Sequence, residues 1–522
     1  MHESFPVKIP RPLLPALLGL LAVLRVSGQM TSNDVATVIA QAATRAAAVS
    51  PNAVIAVVDR EGFVLGVWSV NGAAPGALDL EDAITKAGSA AFLSSDQHVF
   101  SSRTAGFIVQ QHFPPGIVNR PNGPLVGVNF SNLSFTDVNR FKDPHTAVLG
   151  LNSGTNGAAI AGPAALSGLA GSPGGVPLFK DGRLIGGVGV SGTGRGPIPA
   201  LFDIQQIPPR PDVDEDVALA GQNGFAPRAI LLGSRVFIDG LRVPYVNTRT
   251  RLAPMLVKTG VVVAPYLLTD SPPVSYPTAL LGGVPGEVRA PIIADPVGGT
   301  LNGESRLTAS EVTNILAQAA HRASITRAGI RLPRGQAAQV FITVVNHPGD
   351  TNVAPAILGT FRTPDATIFS WDVSAQKARS ALFFSDNTRA RSSRTVGFLA
   401  QRQYPPGIRN TPPGPLYGMQ EMFSLLPVGV TNILNGVVLT TPPALHPALP
   451  NGLTIFPGGF PLYRNGQLIG AIGVSGDGID QDDIIAAAGT VGFQPPPAIR
   501  ADQTSFRGAR LPYAKFPRNP QL

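Results

Sequence analysis

The sequence predicts an α+β protein that contains two copies of one folding unit, each an antiparallel sheet with helices packed on it. A nineteen-residue stretch occurs twice, as GGVPLFKDGRLIGGVGVSG at 174–192 and GGFPLYRNGQLIGAIGVSG at 458–476, with twelve identical positions. Both halves also share one order of elements, which is helix, hairpin, helix, helix, hairpin, helix. This order favours helices layered on an antiparallel sheet. We expect the two copies to pack as a pseudo-dimer inside the chain.

The elements of the first half follow from apolar residues at helical spacing and from β-rich runs. Ser32 or Asn33 can cap the first helix, because short polar side chains accept hydrogen bonds from the first turn. The predicted elements are a helix at 31–49, strands at 54–59 and 63–70, helices at 79–93 and 101–111, the hairpin, and a helix at 214–221. Their counterparts are a helix at 307–323, strands at 339–345 and 357–362, a helix at 374–384, a segment at 392–408, the second hairpin, and 480–489.

The repeated stretch is typical of a β-hairpin. Asp181-Gly182 and Asn465-Gly466 suit a type I′ turn, whose two central residues both need a positive φ. One face of the following strand carries only small residues, Gly187, Gly189 and Ser191 in the first copy and Ala471, Gly473 and Ser475 in the second. Glycine inside a strand indicates that a ligand or another backbone approaches closely. The face therefore predicts either a ligand site or a helix packed tightly on the sheet.

The domain organisation follows from the repeat and from changes in composition. We expect a signal peptide at 1–28, a first domain at 29–247 with an insertion at about 129–172, a Pro-rich linker at 248–305, a second domain at 306–500 with an insertion at about 425–456, and a basic tail at 501–522. Residues 261–268 within the linker could form a strand.

The N-terminus indicates export. Lys8 and Arg11 precede an apolar run at 13–24, and Val26-Ser27-Gly28 offers small residues for cleavage. The run is too short for a comfortable membrane span, and no later stretch reaches spanning length without charges or prolines. We expect a periplasmic or secreted protein without a membrane span after cleavage.

Composition excludes several classes of function. The net charge is +8, but the basic residues are dispersed and form no basic helix or aromatic-basic patch, so we expect no nucleic-acid partner. The absence of cysteine excludes disulfides, thiolate metal sites and a cysteine nucleophile. No catalytic motif of the serine-hydrolase, zinc-protease or Walker type is present.

The two halves resemble the GlcG/HbpS-type haem-binding family. The resemblance rests on the hairpin with its G-x-L-I-G and G-V-S-G segments, the DQDDIIAAAG helix, the V-V-D-x-x-G turn at 57–62, and the Lys86-Ala87 and Lys377-Ala378 helices. It implies a profilin-like fold, frequent homo-oligomers, and a small-molecule ligand that is haem or a related tetrapyrrole in some members. The second copy departs from the pattern, because Asn346 replaces Asp59.

Four cations are candidates for ligand binding. Arg103 and Arg394 lie in the first turn of a helix, where a positive charge opposes the helix dipole and needs a partner. That partner is either a carboxylate of the ligand, such as a haem propionate, or an acidic residue at 214–216 or 480–483. The same two interpretations apply to Lys86 and Lys377.

A haem iron would need an axial ligand, which is usually His, Met, Cys or Tyr. The seven histidines occupy no equivalent positions in the two copies. His321 lies in the first helix of the second copy, where a family ligand could fall, and is the candidate metal ligand; the alternative is a surface or capping histidine.

The sequence thus leads to an exported small-ligand-binding protein with haem as the favoured cofactor. Its candidate ligand-binding residues are Lys86, Arg103, Ser191, His321, Lys377, Arg394 and Ser475. The alternatives are a structural protein that forms oligomers without a cofactor, and an enzyme that acts on a small hydroxy acid; the sequence only weakly supports the enzyme.

Overall fold

The fold is described from a computed structural model of the chain. It describes residues 29–115, 117, 119–128, 131–132, 136–141, 147–148, 151–152, 168–192, 211–252, 259–424 and 446–515. The predicted signal peptide, most of each predicted insertion and the last seven residues lie outside the described residues.

The main helices and strands recur in the same order in both halves. The first half comprises α1 (Ser32–Val49), β1 (Val54–Asp59), β2 (Val64–Ser69), α2 (Ala77–Phe92), α3 (Ser102–Ile108), β3 (Ala147–Val148), β4 (Leu151–Asn152), β5 (Gly175–Lys180), β6 (Arg183–Ser191), α4 (Val213–Gly221), β7 (Phe237–Ile238) and β8 (Leu241–Arg242). The remaining elements are β9 (Val261–Val262), β10 (Thr278–Leu281), β11 (Val284–Ala290), β12 (Thr300–Leu301), β13 (Glu304–Ser305), α5 (Ala309–Ser324), β14 (Phe341–Asn346), β15 (Ile357–Arg362), α6 (Ser370–Phe383), α7 (Ser393–Leu399), α8 (Met419–Ser424), β16 (Gly459–Arg464), β17 (Gln467–Ser475), α9 (Ile479–Gly489), β18 (Ser505–Phe506) and β19 (Ala509–Arg510).

Each half builds one antiparallel sheet with matching topology. The strand order is β5-β6-β1-β2-β9 in the first sheet and β16-β17-β14-β15-β11-β10 in the second. The registers also correspond, since Val54 lies opposite Ser191 and Phe341 lies opposite Ser475. The predicted α+β class with helices packed on antiparallel sheets is therefore confirmed.

The predicted hairpins are also confirmed. Asp181 and Gly182 have φ values of 51° and 75°, and Asn465 and Gly466 have 48° and 83°, as a type I′ turn requires.

Helices cover both faces of each sheet because the strands alternate between two apolar faces. In the first half, Ile55 and Val57 belong to the same core as Val38 of α1, whereas Ala56 belongs to the same core as Ala83 of α2. Helices α1 and α4 thus pack on one face and α2 on the other. Helices α5, α9 and α6 repeat this arrangement in the second half.

The small-residue face of each hairpin is covered by a helix. A Cβ atom added at Gly189 would lie 2.1 Å from the Ala83 carbonyl oxygen, and one at Gly473 would lie 2.0 Å from that of Ser374. The glycines therefore let α2 and α6 approach the sheet closely. Of the two predicted interpretations, a helix packed tightly on the sheet holds here. These glycine positions are not open to a ligand.

The first helix begins one residue earlier than a Ser32 or Asn33 cap would place it. The Thr31 hydroxyl accepts a hydrogen bond from the Asp34 amide at 3.2 Å, and the Asp34 carboxylate accepts one from the Thr31 amide at 2.9 Å. Thr308 and Glu311 form the same capping box at α5. The reciprocal pair favours threonine because both amides gain a partner.

The segment predicted as a linker contributes strands to both sheets. Strand β9 pairs with β2. Strand β11 pairs with β15 and forms a hairpin with β10.

The segment predicted as a basic tail repeats a contact that is also found in the first copy. The Thr395 hydroxyl donates to the Pro512 carbonyl at 2.6 Å, as the Thr104 hydroxyl does to that of Pro244.

The two halves contact each other through buried ion pairs and a shared apolar core that includes α2 and α6. Arg289 donates to both carboxylate oxygens of Glu61, at 2.8 and 2.9 Å. Arg379 donates to both oxygens of Asp137, at 2.7 Å each. Removing one partner from such a buried pair costs about 3–5 kcal/mol, so these pairs strongly favour this arrangement of the halves.

Candidate functional site

A lysine–aspartate pair lies behind the repeated hairpin in each copy. Lys86 of α2 donates to the Val190 carbonyl of β6 at 3.0 Å and to Asp214 of α4 at 3.0 Å. Lys377 of α6 donates to the Val474 carbonyl of β17 at 2.8 Å and to Asp482 of α9 at 2.7 Å. Each pair therefore ties a central helix to the end of the hairpin and to the closing helix.

Glycine is needed where the lysine passes the hairpin. Gly174 has a φ of 120°, and a Cβ atom there would lie 2.8 Å from Cβ of Asp214. Gly458 has a φ of 111°, and a Cβ atom there would lie 3.3 Å from Nζ of Lys377. The repeated Gly-Gly that begins each hairpin thus leaves room for the ion pair.

The two pairs differ in charge. Lys86 has a second carboxylate partner, Asp82, at 2.7 Å, one turn earlier on its helix. Burial alone would lower the pKa of Lys86, but Asp82 and Asp214 outweigh it and raise the pKa above its ordinary value. Val373 occupies the position of Asp82 in the second copy. Burial consequently lowers the pKa of Lys377 and raises that of Asp482 to about 7.

The two candidate arginines pair with acidic residues of their own copy. Arg103 binds both carboxylate oxygens of Glu215, at 2.8 and 3.0 Å. Arg394 binds Asp480 at 2.6 Å and also Asp483. Of the two interpretations left open by the sequence, the structure shows the pairing with acidic residues for both arginines and both lysines.

A cavity of about 940 Å³ lies at the boundary between the copies. Three of the predicted site residues line it, namely Lys377, Arg394 and Ser475. Their first-copy counterparts, Lys86, Arg103 and Ser191, do not. Its apolar wall includes Phe100, Ile108 and Val126 from the first copy and Phe369, Phe398 and Phe456 from the second.

The two serines lie at the ends of the hairpins. Ser475 donates to the Ser370 hydroxyl at 3.2 Å, and Ser191 donates to Asp79 at 3.4 Å. Both side chains are buried, but only Ser475 lies at the cavity.

Two exposed cations at the cavity were not singled out from the sequence. Arg510 lies 3.9 Å from Asp502, and Lys515 lies 3.1 Å from Asp480. Their side chains are 70% and 62% exposed, so these ion pairs are weak and easily exchanged. The signal that could have identified them is the match between the C-terminal segment and residues around Tyr245, which places that segment inside the second copy.

Two histidines bear on the question of an axial ligand. His321 is exposed on α5 and does not line the cavity. His98 does line it, but its two ring nitrogens form hydrogen bonds to the Ser95 hydroxyl at 2.9 Å and to the Leu93 carbonyl at 3.1 Å. Burial lowers the pKa of His98 to about 3, so the ring is neutral at physiological pH.

Within the described residues, two further features are absent. No group of three or more His, Cys, Asp or Glu residues is arranged to hold a metal ion. In the same part of the chain, no helix combines the length and apolar character that crossing a membrane would require.

Several solved structures are similar to part of this chain. A PduOC–haem complex is 21% identical to this chain, with a TM-score of 0.23. The match covers 36% of this chain and 95% of the chain in that complex. An HbpS double mutant from Streptomyces reticuli is 20% identical, with a TM-score of 0.20. The match covers 39% of this chain and 96% of the HbpS chain. The Klebsiella pneumoniae protein ORFY is 21% identical, with a TM-score of 0.21, and covers 37% and 96%.

No curated protein matches the chain. The family described as "Haem degrading protein HbpS-like" matches residues 30–196 and 316–490, which together make up more than half of the sequence. The two matched regions correspond to the two halves of the fold. The chain therefore belongs to the HbpS-like haem-degrading protein family and contains two copies of its domain in tandem.

Proposed function

We propose that the chain is an exported protein that binds one haem, or a related tetrapyrrole, in the cavity between its two copies. The observation that carries this proposal is the apolar cavity of about 940 Å³, which Lys377 and Arg394 line. Ligand pockets have volumes of about 300–1,000 Å³ and mostly apolar walls with a few polar groups. The family of the chain makes haem the first ligand to test.

The residues of the cavity fit the ring and the propionates of haem. The six apolar side chains named above offer surfaces for the macrocycle. Arg510 and Lys515 can exchange their exposed ion pairs for propionates, because an exposed ion pair is worth only about 0–1 kcal/mol. Lys377 and Arg394 are already committed to buried carboxylates and would support the site from behind.

The histidines offer no ready axial ligand, whereas Tyr513, whose hydroxyl has no hydrogen-bond partner among the described residues, also lines the cavity. Both nitrogens of His98 are already hydrogen-bonded, and His321 does not line the cavity. Bound haem would supply redox chemistry at its iron. The protein's own contribution is to enclose the ring in apolar surface and to hold its carboxylates.

The proposal includes a profilin-like fold for each copy and a pseudo-dimer of the two. Gln111 and Arg402 occupy equivalent positions in the two copies, and Arg402 donates to Gln111 at 3.1 Å. In a twofold arrangement, equivalent residues near the axis contact each other in this way.

The export part of the proposal is supported by the signal-like N-terminus. Cell fractionation tests it and should recover the protein outside the cytoplasm.

A spectroscopic titration tests the ligand. Adding haem to the purified protein should shift the Soret band and saturate at one haem per chain, because the cavity is formed once by both copies. Arg510→Glu should weaken binding about five- to tenfold by repelling a propionate. Arg242→Glu changes the equivalent exposed residue of the first copy, which does not line the cavity, and should leave binding unchanged. Absence of saturable binding, or two haems per chain, would contradict the proposal.

A further inference from the structure

A second cavity, of about 570 Å³, lies at the edge of the second copy beside Tyr513. Phe460, Pro495, Pro496 and Pro497 form its apolar lining, and Thr490 lies at its wall. The ring of Tyr513 packs against that of Phe460 in an edge-to-face contact, with centroids 5.4 Å apart. The cavity therefore has aromatic and proline walls that suit a flat, apolar group.

The first copy shows what has changed at this place. Tyr245 is equivalent to Tyr513, since the Ser101 hydroxyl donates to the Tyr245 carbonyl as that of Ser392 does to Tyr513. The side-chain amide of Gln222 donates to the Tyr245 hydroxyl at 3.3 Å and to the Pro177 carbonyl at 2.6 Å. Gln222 thus occupies the space next to the tyrosine hydroxyl.

The second copy lacks this glutamine. Gln222 is the residue that follows the last turn of α4, and Thr490 is its counterpart after α9. Thr490 has a shorter side chain, and its hydroxyl donates back to the Ala487 carbonyl at 2.7 Å. The Tyr513 hydroxyl is buried and has no hydrogen-bond partner among the described residues. A buried polar group without a partner costs about 1–3 kcal/mol, so a ligand that supplies an acceptor would be favoured.

The polar groups at the cavity indicate the chemistry of that ligand. Burial raises the pKa of Tyr513 well above its ordinary value, so its hydroxyl stays protonated and can donate. Arg500 is the only charged residue among the described residues that line the cavity. Its guanidinium group lies over the Tyr513 ring, 5.1 Å from the centroid, and it binds Asp502 at 2.6 and 3.1 Å. Donors and one cation at the wall favour an acceptor with negative charge, which is a carboxylate.

We propose that the cavity beside Tyr513 binds a small aromatic carboxylate, whose carboxylate accepts a hydrogen bond from the Tyr513 hydroxyl and whose ring packs against Phe460. This cavity adjoins the haem cavity proposed above, since Tyr513 and Ala514 line both. The titration below is carried out without haem, so its outcome does not depend on whether haem binds.

Calorimetric titration with benzoate tests the proposal on the full chain. Benzoate should bind with a stoichiometry of one, and benzyl alcohol, which lacks the carboxylate, should bind at least tenfold more weakly. Thr490→Gln restores the glutamine of the first copy, whose amide lies beside the tyrosine hydroxyl. It should block the place of the ligand's carboxylate and weaken binding at least tenfold. Tyr513→Phe removes the donor without filling the cavity and should weaken binding about three- to tenfold.

The first copy provides a reciprocal variant. Gln222→Thr removes the glutamine beside Tyr245, but the first copy has Val176 in place of Phe460, so this variant should leave the stoichiometry at one. Lack of saturable benzoate binding, equal binding of benzyl alcohol, or unchanged binding by both Thr490→Gln and Tyr513→Phe would overturn the proposal.

Discussion

Lys86 and Lys377 occupy the same place in the two copies, yet their surroundings differ. Lys86 lies between two carboxylates, Asp82 and Asp214, whereas Lys377 has only Asp482 and lies beside a large cavity. The same buried ion pair therefore has different surroundings in the two copies. In the first copy it lies away from the cavity of about 940 Å³, and in the second copy it lies beside that cavity. The replacement of Asp82 by Val373 is the change that distinguishes the two pairs.

The largest expected effect comes from removing each lysine in turn. Lys86→Met leaves the buried Asp214 and the half-buried Asp82 without their cation and should lower the free energy of unfolding by about 3–5 kcal/mol. Lys377→Met leaves only Asp482, which can take up a proton because burial raises its pKa to about 7. We therefore expect a smaller loss, of about 1–3 kcal/mol.

Urea unfolding of the two variants measures this difference. Lys180→Met provides the control, because Lys180 forms an exposed ion pair with Asp34 and should change the unfolding free energy by less than about 0.5 kcal/mol. An equal loss in Lys86→Met and Lys377→Met would show that the second carboxylate does not distinguish the copies.

A second difference between the copies concerns Asp59, whose counterpart is Asn346. Burial raises the pKa of Asp59 to about 7, although its carboxylate accepts hydrogen bonds from the amides of Glu61 and Phe63. Between about pH 4 and 7 the folded state then binds more protons at this site than the unfolded state does. Stability from this group is greatest at the acidic end of that window and falls as the pH rises.

Asp59→Asn should remove this dependence and keep the acceptor oxygen, as Asn346 does for the Ala356 amide. We expect the variant to be more stable than the parent by about 1–2 kcal/mol at pH 8 and to match it more closely at pH 5. Thermal unfolding at both pH values tests this. A variant that is less stable at pH 8 would show that the charge of Asp59 is stabilising.

The smallest expected effect comes from making the first copy resemble the second. Asp82→Val introduces the residue found at Val373 and removes one of the two partners of Lys86. The remaining partner, Asp214, keeps the lysine paired, so the loss should be about 1 kcal/mol. Urea unfolding of this variant beside Lys86→Met provides the measurement, and a loss as large as that of Lys86→Met would mean that Asp82 alone holds the lysine.

Much of the fold was predictable because its signals are local. The turn pairs Asp181-Gly182 and Asn465-Gly466 specify their hairpins through the φ values they allow. Strands β1 and β15 have the predicted bounds, because each is a short β-rich run with clear turns beside it. The boundaries of α6 were less well predicted: the helix begins at Ser370, and no side chain caps that end.

The site was less predictable because it depends on contacts between distant residues. The sequence identified Lys377, Arg394 and Ser475, but it could not show that they share a cavity with side chains from the other half. The carboxylate partners of Lys377 and Arg394 lie on α9, about a hundred residues further along the chain, so either a ligand or an internal acid could have satisfied these two cations. The roles of Arg510 and Tyr513 depend on recognising that the C-terminal segment completes the second copy.

The segment that joins the halves has a consequence for association. Strand β9 borders β2, and β11 with β10 borders β15, so the connection covers the same side of both sheets. An uncovered border of this kind exposes unpaired backbone amides and carbonyls that can recruit strands from neighbouring molecules. By using its own connecting chain there, the duplicated protein pairs β2 and β15 within the molecule, so that the outermost strands on that side are the two-residue β9 and the four-residue β10.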